Sequence, residues 1–139
     1  MGPNGLTICS SSFGPKETMD RLAAAVTDQG MAILVRIDHA SAAVKVGLEL
    51  RPTEVLIFGS ARAGTPLMQA AQTIGIDLPL KALVWQDDKG QTWLAYNDPA
   101  WLAERHGADS GTPRILTAMA EVLAATTKWA TTQSPGEMP

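Results

Sequence analysis

Two strand-like runs, Leu83 to Gln86 and Thr92 to Tyr96, are joined through Asp87-Asp88-Lys89-Gly90, and this turn limits the possible folds more than any other feature of the chain. Aspartate supplies local hydrogen bonds and glycine supplies left-handed backbone, so the two runs read as an antiparallel hairpin. A strictly alternating parallel fold would not end in such a hairpin. The arms carry Trp85 and Trp93, with Tyr96 following. A surface of that kind serves a core, a ligand pocket or a dimer contact.

Around the hairpin the pattern supplies further strands and helices. Leu6 to Phe13 reads as a first strand. Gly14-Pro15 then opens a helix whose Met19, Leu22, Ala23 and Val26 fall at i, i+3, i+4 and i+7, and Gly30 ends it. Met31 to Asp38 is a strand with Ile33, Val35 and Ile37 on one parity and Arg36 and Asp38 on the other. Asp38 can cap a short helix with a small-residue face of Ala40, Ala43, Val44 and Gly47. Glu54 to Phe58 is a third strand, ended by Gly59. The stretch Ser60 to Gly64 reads as a loop, and Thr65-Pro66 opens a helix carrying Leu67, Met68, Ala71 and Ile74 that Gly75 closes. Asp98-Pro99 starts a short helix through Trp101 and Leu102, and Thr112-Pro113 starts the last one, with Ile115, Leu116, Met119, Val122 and Leu123 on its stripe.

The order β-α-β-α-β-α-β-β-α predicts an α+β fold, with a mixed or antiparallel sheet of about five strands and the two long helices packed on one face. Residues 6–132 form the single domain, with a flexible start over 1–5 and a flexible tail over 133–139. A chain of 139 residues can bury enough surface for one core without staples, and its single cysteine excludes an internal disulfide. Lys+Arg 11 against Asp+Glu 14 gives a net charge of −3, with the basic residues scattered, which argues against nucleic acid as a partner. No apolar run approaches the roughly 18 residues of a spanning helix. The N-terminus also lacks a basic-then-apolar leader, so the expectation is no membrane contact and a cytoplasmic location.

Gly59 to Thr65 has glycines at the separation of a phosphate-binding Walker loop, but Thr65 stands where the lysine must be, and dinucleotide-fold spacing is absent. What survives is a weaker anion site, made by free N–H groups at a helix start together with Arg62. His39 follows Asp38 where a strand gives way to a helix, a position at which an imidazole can exchange protons with a bound molecule. Its structural alternative is a ring packed at the core edge and bonded to a carbonyl. His106, in Glu104-Arg105-His106-Gly107, suits the negative end of a helix. Two histidines and one cysteine without ligand spacing predict neither a metal site nor a cofactor. No serine stands in a nucleophile elbow, and Cys9 reads as a small hydrophobe.

Several ordered blocks together carry a resemblance. Ile37-Asp38-His39-Ala40, Leu56-Ile57-Phe58-Gly59 and Gly64-Thr65-Pro66-Leu67-Met68 are followed by Asp77-Leu78-Pro79-Leu80-Lys81, Val84-Trp85, Tyr96-Asn97-Asp98-Pro99 and Arg105-His106-Gly107. Over about Leu6 to Ala125 the chain resembles a small prokaryotic family catalogued as a domain of unknown function, number 302. Where that family commonly has Asn-Pro after the glycine of the third strand, this chain has Ser60-Ala61. The resemblance implies a compact α+β homodimer without established catalysis. It places Asp38, His39, Gly59, Gly64, Thr65, Tyr96 and Asp98 near element ends, where convergence would enclose one cleft.

Three functional readings follow. The first is a dimeric small-molecule-binding module whose cleft has an apolar floor and a polar mouth that includes His39, Arg62, Gly64, Thr65, Tyr96 and Asp98, for a small molecule or anion. The second is an enzyme using His39 as general acid or base, oriented by Asp38 or Asp98. The third is a structural domain that dimerises through the apolar hairpin face of Trp85 and Trp93.

Overall fold

The computed structural model describes residues 3–132. The hairpin is its centre: β4 (Leu80–Gln86) and β5 (Thr92–Asn97) pair antiparallel with Trp85 opposite Trp93. Asp87 organises the turn. Its Oδ1 accepts from the backbone N–H groups of Lys89 and Gln91, each at 2.9 Å, and its Oδ2 accepts from Trp93 Nε1 at 2.9 Å. Gly90 takes the left-handed conformation that reverses the chain, with φ +83°.

β1 (Leu6–Ser11) pairs with β5, β3 (Thr53–Gly59) with β4, and β2 (Ala32–Asp38) with β3. The resulting five-stranded sheet has the order β1-β5-β4-β3-β2, and every pairing is antiparallel. The fold is α+β, as the element order predicts. The first two strands in the chain form opposite edges of the sheet, connected by α1 (Pro15–Asp28).

Residues paired across strands share a face. Leu56 and Phe58 of β3, Ala82 and Val84 of β4 and Leu94 of β5 point to one side, where α1 and α5 (Pro113–Thr131) cover them with Met19, Leu22, Val26, Leu123 and Ala130. This is the main core, and each fully buried Leu or Phe in it contributes about 1.5–3 kcal/mol. A satellite core lies beyond one end of the sheet. It joins Leu67 of α3 (Ala61–Ala70), Ile74 of the 3-10 segment Gln72–Ile76, Leu102 and Ala103 of α4 (Pro99–His106), and Leu116 and Met119 of α5. Leu78 packs against both cores.

The structure departs from the pattern reading along β2 and at both ends of α3, which stops at Ala70: Ala71 is extended, and Ile74 and Gly75 belong to the separate 3-10 segment. Alternation along β2 suggests that Ile33, Val35 and Ile37 share a face, but a bulge between Ile33 and Val35 breaks it: Ile33 pairs with core-facing Phe58, whereas Val35 pairs with Ile57 on the opposite face. The helix read as opening at Thr65-Pro66 begins at Ala61, so Ser60 to Gly64 is its first turn rather than a loop. The carbonyl of Ser60 accepts from the N–H groups of Ala63 and Gly64 at 3.1 and 2.8 Å. Pro66 lies inside this helix, and its missing N–H costs one bond, to the carbonyl of Arg62.

The segment before β1 is engaged by the domain. Pro3 and Gly5 carbonyls accept from Leu6 and Asp98 N–H groups at 3.1 and 2.7 Å. Gly5 has φ +79°, and a Cβ there would lie 2.2 Å from Trp101 Cδ2, so backbone conformation and the overlying indole both require glycine. The rest of the flexible ends read from the sequence, residues 1–2 and 133–139, lies outside the described residues.

Arg21 of α1 fastens the two long helices. It is 9% exposed, and its guanidinium lies 4.2 Å from the Phe13 ring centre and 4.3 Å from that of Trp129. Its Nε and Nη2 donate to the Trp129 carbonyl at 3.2 and 2.7 Å. Two aromatic faces and a carbonyl replace the water this cation gives up. Arg21→Ala is expected to cost about 2–4 kcal/mol, read as a fall in the urea midpoint. Arg21→Lys should recover only part of the loss, because an ammonium cannot lie flat between two rings.

Candidate functional site

A cavity of about 520 Å³ opens between the main and satellite cores. Its apolar wall is built from Met31 and Leu34 beside the β2 edge, Met68 of α3, Leu78 before β4, and Met119 and Val122 of α5. Among the described residues, the polar side chains on the wall are Gln29, Ser60 and Thr65, and no charged side chain lines it.

The sequence builds this space through close approaches and interruptions. A Cβ at Gly59 would lie 3.3 Å from Pro79 Cβ, so glycine allows the end of β3 to lie against the chain entering β4. The bulge in β2 falls at Leu34, which is 59% exposed and forms part of the wall. Ser60 begins α3 in an extended conformation without a side-chain cap bond, so its hydroxyl is not consumed by the helix.

Of the residues expected at a polar mouth, Gly64 and Thr65 line this cavity. Gly64 is buried and Thr65 exposed. Arg62 is exposed one turn away and does not contribute to the wall. Tyr96 and Asp98 are at the same end of the sheet, but β5 is two strands from β3, about 10 Å across the ladder. There Tyr96 packs against the main core, and burial pushes its phenol pKa up. The Thr7 hydroxyl donates to the Asp98 carboxylate, while the Asp98 carbonyl starts α4 by accepting from Leu102 N–H at 3.1 Å.

Asp38 and His39 lie at the opposite end. Ala32 stands beside Gly59 and Asp38 beside Glu54, so the length of β2, about 20 Å, separates them from the cavity. Asp38 caps α2 (His39–Lys45) by accepting from Ser41 N–H and Oγ, both at 2.9 Å. The backbone bond from Ser41 is the leading cause that holds its carboxyl below the usual range. That carboxylate is therefore engaged with Ser41, and His39 is exposed as the first residue of the helix. A smaller cleft near Asp38 is lined by Lys16, Arg36 and Glu54, but its charges are matched: Arg36 meets Asp20 and Glu54 at 2.7 Å each, and Lys16 meets Asp20 at 2.8 Å. The expected element ends thus divide between the two ends of the sheet.

Sequence reasoning does not reveal the partners of His106. Its Nε2 is 2.5 Å from Asp77 Oδ2 and its Nδ1 is 2.9 Å from Thr73 Oγ1, while Arg105 Nη1 meets Asp77 at 2.8 Å. The cluster ties the end of α4 to the 3-10 segment that carries Ile74 into the satellite core. Burial opposes the charged form of Asp77, but the hydrogen bond from His106 and the charge of Arg105 outweigh it and hold the carboxyl below its usual range. Among the described residues no group of three or more His, Cys, Asp or Glu could hold a metal ion.

Comparison with known proteins places this geometry in a family. Residues 7–126 match the family model described as Domain of unknown function DUF302. A crystal structure of an uncharacterized conserved DUF302 protein from Bacillus stearothermophilus superposes with a TM-score of 0.81, covering 92% of this chain and 99% of that one at 21% identity, a likeness of fold. The chain is also 43% identical over 127 residues to a protein of Brucella suis biovar 1 (strain 1330) named fluoride-specific ion channel FluC 1. A protein of the same name from Brucella abortus biovar 1 (strain 9-941) gives the same identity and length of match. These matches take in 91% of this chain but 50% and 47% of the relatives, so the chain spans about half their length.

Two outcomes are expected at the cavity and its supports. Gly64 is inside α3 without a positive φ, and a Cβ there would meet Leu78 Cδ1 at 3.7 Å and Met68 Cε at 3.9 Å, both ordinary contacts. Gly64→Ala should therefore raise stability by about 0.5–1 kcal/mol in chemical denaturation. Asp77 has a lowered folded-state pKa, so its contribution is present above the unfolded value of about 3.9 and is lost as pH falls through the folded value. Asp77→Asn should cost about 1–3 kcal/mol at neutral pH, and its difference from the parent chain should shrink in unfolding curves taken below about pH 4.

Proposed function

The chain belongs to the DUF302 family, and from that premise we propose that it is a small-molecule-binding module whose ligand is uncharged and largely apolar, held in the cavity between its two cores. The observation that carries this reading is the wall: a volume of about 520 Å³ to which, among the described residues, no charged side chain contributes. That size lies within the range of ordinary ligand pockets. A charged ligand would lose its hydration there without gaining a counter-charge, a cost of several kcal/mol. An apolar ligand meets three thioether side chains, Met31, Met68 and Met119, which adjust their shape at little cost. The hydroxyls of Ser60 and Thr65 can orient a polar atom on such a molecule.

The longer Brucella relatives are named for fluoride conduction, and this chain corresponds to about half of each. Among the described residues no helix is long and apolar enough to cross a membrane, which supports assigning conduction to the other half of those proteins and ligand binding to this one.

Methionine methyl groups give a direct test, since Met31, Met68 and Met119 line the cavity while Met19 is fully buried in the main core. With carbon-13 methyl labels, titration by neutral apolar probes such as Nile red and octanol should shift the three cavity resonances and leave Met19 in place. Octanoate, the charged counterpart, should bind at least about tenfold more weakly. Val122→Phe, which fills the cavity from α5, should abolish the shifts. If no neutral probe moves these methyl groups, or the movement survives Val122→Phe, the reading fails.

A further inference from the structure

Exposed apolar side chains are concentrated in one part of the domain. Among the described residues ten large hydrophobics are exposed, and eight of them fall between Ile33 and Leu50, on β2 and the connection that leads from it to β3. Single exposed hydrophobics are ordinary, whereas a cluster marks a contact surface. The most exposed part is the end of α2 and the turn after it, where Val44, Val46, Leu48 and Leu50 are 71%, 71%, 64% and 49% exposed. α2 itself buries no residue. The four aliphatic side chains are interspersed with Lys45, Glu49 and Arg51, all exposed. Gly47, at φ +79°, turns the chain between them. The N–H groups of Val46, Gly47 and Leu48 donate to the carbonyls of Ala43, Val44 and Ala43 at 3.1, 3.0 and 2.9 Å.

We propose that the turn from Val44 to Leu50 is a lipid-docking surface, which seats its four aliphatic side chains in the outer layer of an anionic bilayer. Hydrocarbon offers no hydrogen bonds, so a segment that enters it must satisfy its own backbone. The turn does this for the three N–H groups at its tip. Lys45 and Arg51 bracket the apolar side chains, and their long stems can lie along the acyl boundary while the charged ends meet lipid phosphates. Glu49 opposes that attraction, but the two cations outnumber it across the segment. A contact of this kind lies in the bilayer surface and needs no spanning helix. It therefore departs from the expectation of no membrane contact, which rests on the lack of a long apolar run and of a leader. An extended peptide added to the neighbouring β2 edge is the competing occupant, and there the bulge between Ile33 and Val35 interrupts the ladder such a strand would need. The connection from β2 to β3 lies at the Asp38 end of β2, opposite the cavity, so the proposal stands apart from the ligand reading.

The test is co-sedimentation of the full chain with vesicles, either of phosphatidylcholine alone or of equal parts phosphatidylcholine and phosphatidylglycerol. The parent chain should half-saturate on the mixed vesicles at about 1 mM lipid and bind the neutral ones at least about threefold more weakly. Leu48→Asn should weaken binding to mixed vesicles at least about tenfold, and Lys45→Gln combined with Arg51→Gln about tenfold. Glu49→Gln, which removes the opposing charge, should tighten it about threefold. All four positions are exposed, so each variant should keep the urea midpoint of the parent, which separates lost docking from lost folding. A parent chain that leaves mixed vesicles unbound at about 5 mM lipid overturns the proposal. Binding that Leu48→Asn leaves within about threefold of the parent also overturns it, because the contact then lies elsewhere. So does a dimer in solution that Leu48→Asn dissociates, since a second copy then occupies the turn.

Discussion

The central strand β4 has to be shielded on both sides, and much of the architecture answers that demand. Leu80, Ala82 and Val84 alternate with Leu83 and Trp85, leaving little in the strand that favours water. β5 and β3 satisfy its backbone on either edge, one through a tight turn and the other through the chain that returns past α3. α1 and α5 then cover the side carrying Val84, and Arg21 clamps these two helices against each other through Trp129. The second side has no equivalent cover among the described residues.

Most polar side chains with a defined geometry serve the fold. Asp87 shapes the hairpin, Asp38 caps α2, Asp77 holds α4 to the 3-10 segment, and Arg36 joins Asp20 to Glu54. Groups with these commitments are poor candidates for catalysis, since a reacting group would have to leave its partners first. The cavity wall and the open sheet face, by contrast, are largely apolar.

Local signals made a large part of this legible from the residues. Asp87 to Gly90 announces the hairpin because turn chemistry is local, and Met19 to Val26 announces α1 because a helical stripe is local. The bulge at Leu34 leaves Ile33, Val35 and Ile37 in unbroken alternation, so only pairing with β3 reveals it. Pro66 mimics a helix start, yet the turn from Ser60 forms first and tolerates proline later. The Asp38 cap is readable from three residues, but the distance of His39 from Gly64 depends on strand direction, which no short motif encodes. Met31, Met68 and Met119 each look like core residues on their own elements; that they meet around a space is a property of three elements together.

Leu78 belongs to both cores, and the cavity lies along the seam it bridges. α5 runs through both cores, with Leu116 and Met119 on one side of the seam and Leu123 and Ala130 on the other, so one continuous helix spans the seam beside Leu78. Leu34 and Thr65 on the cavity wall are exposed, so a guest would reach the seam from solvent without parting the two cores, and its residence time would be set by its contacts with Leu78 and the methionines.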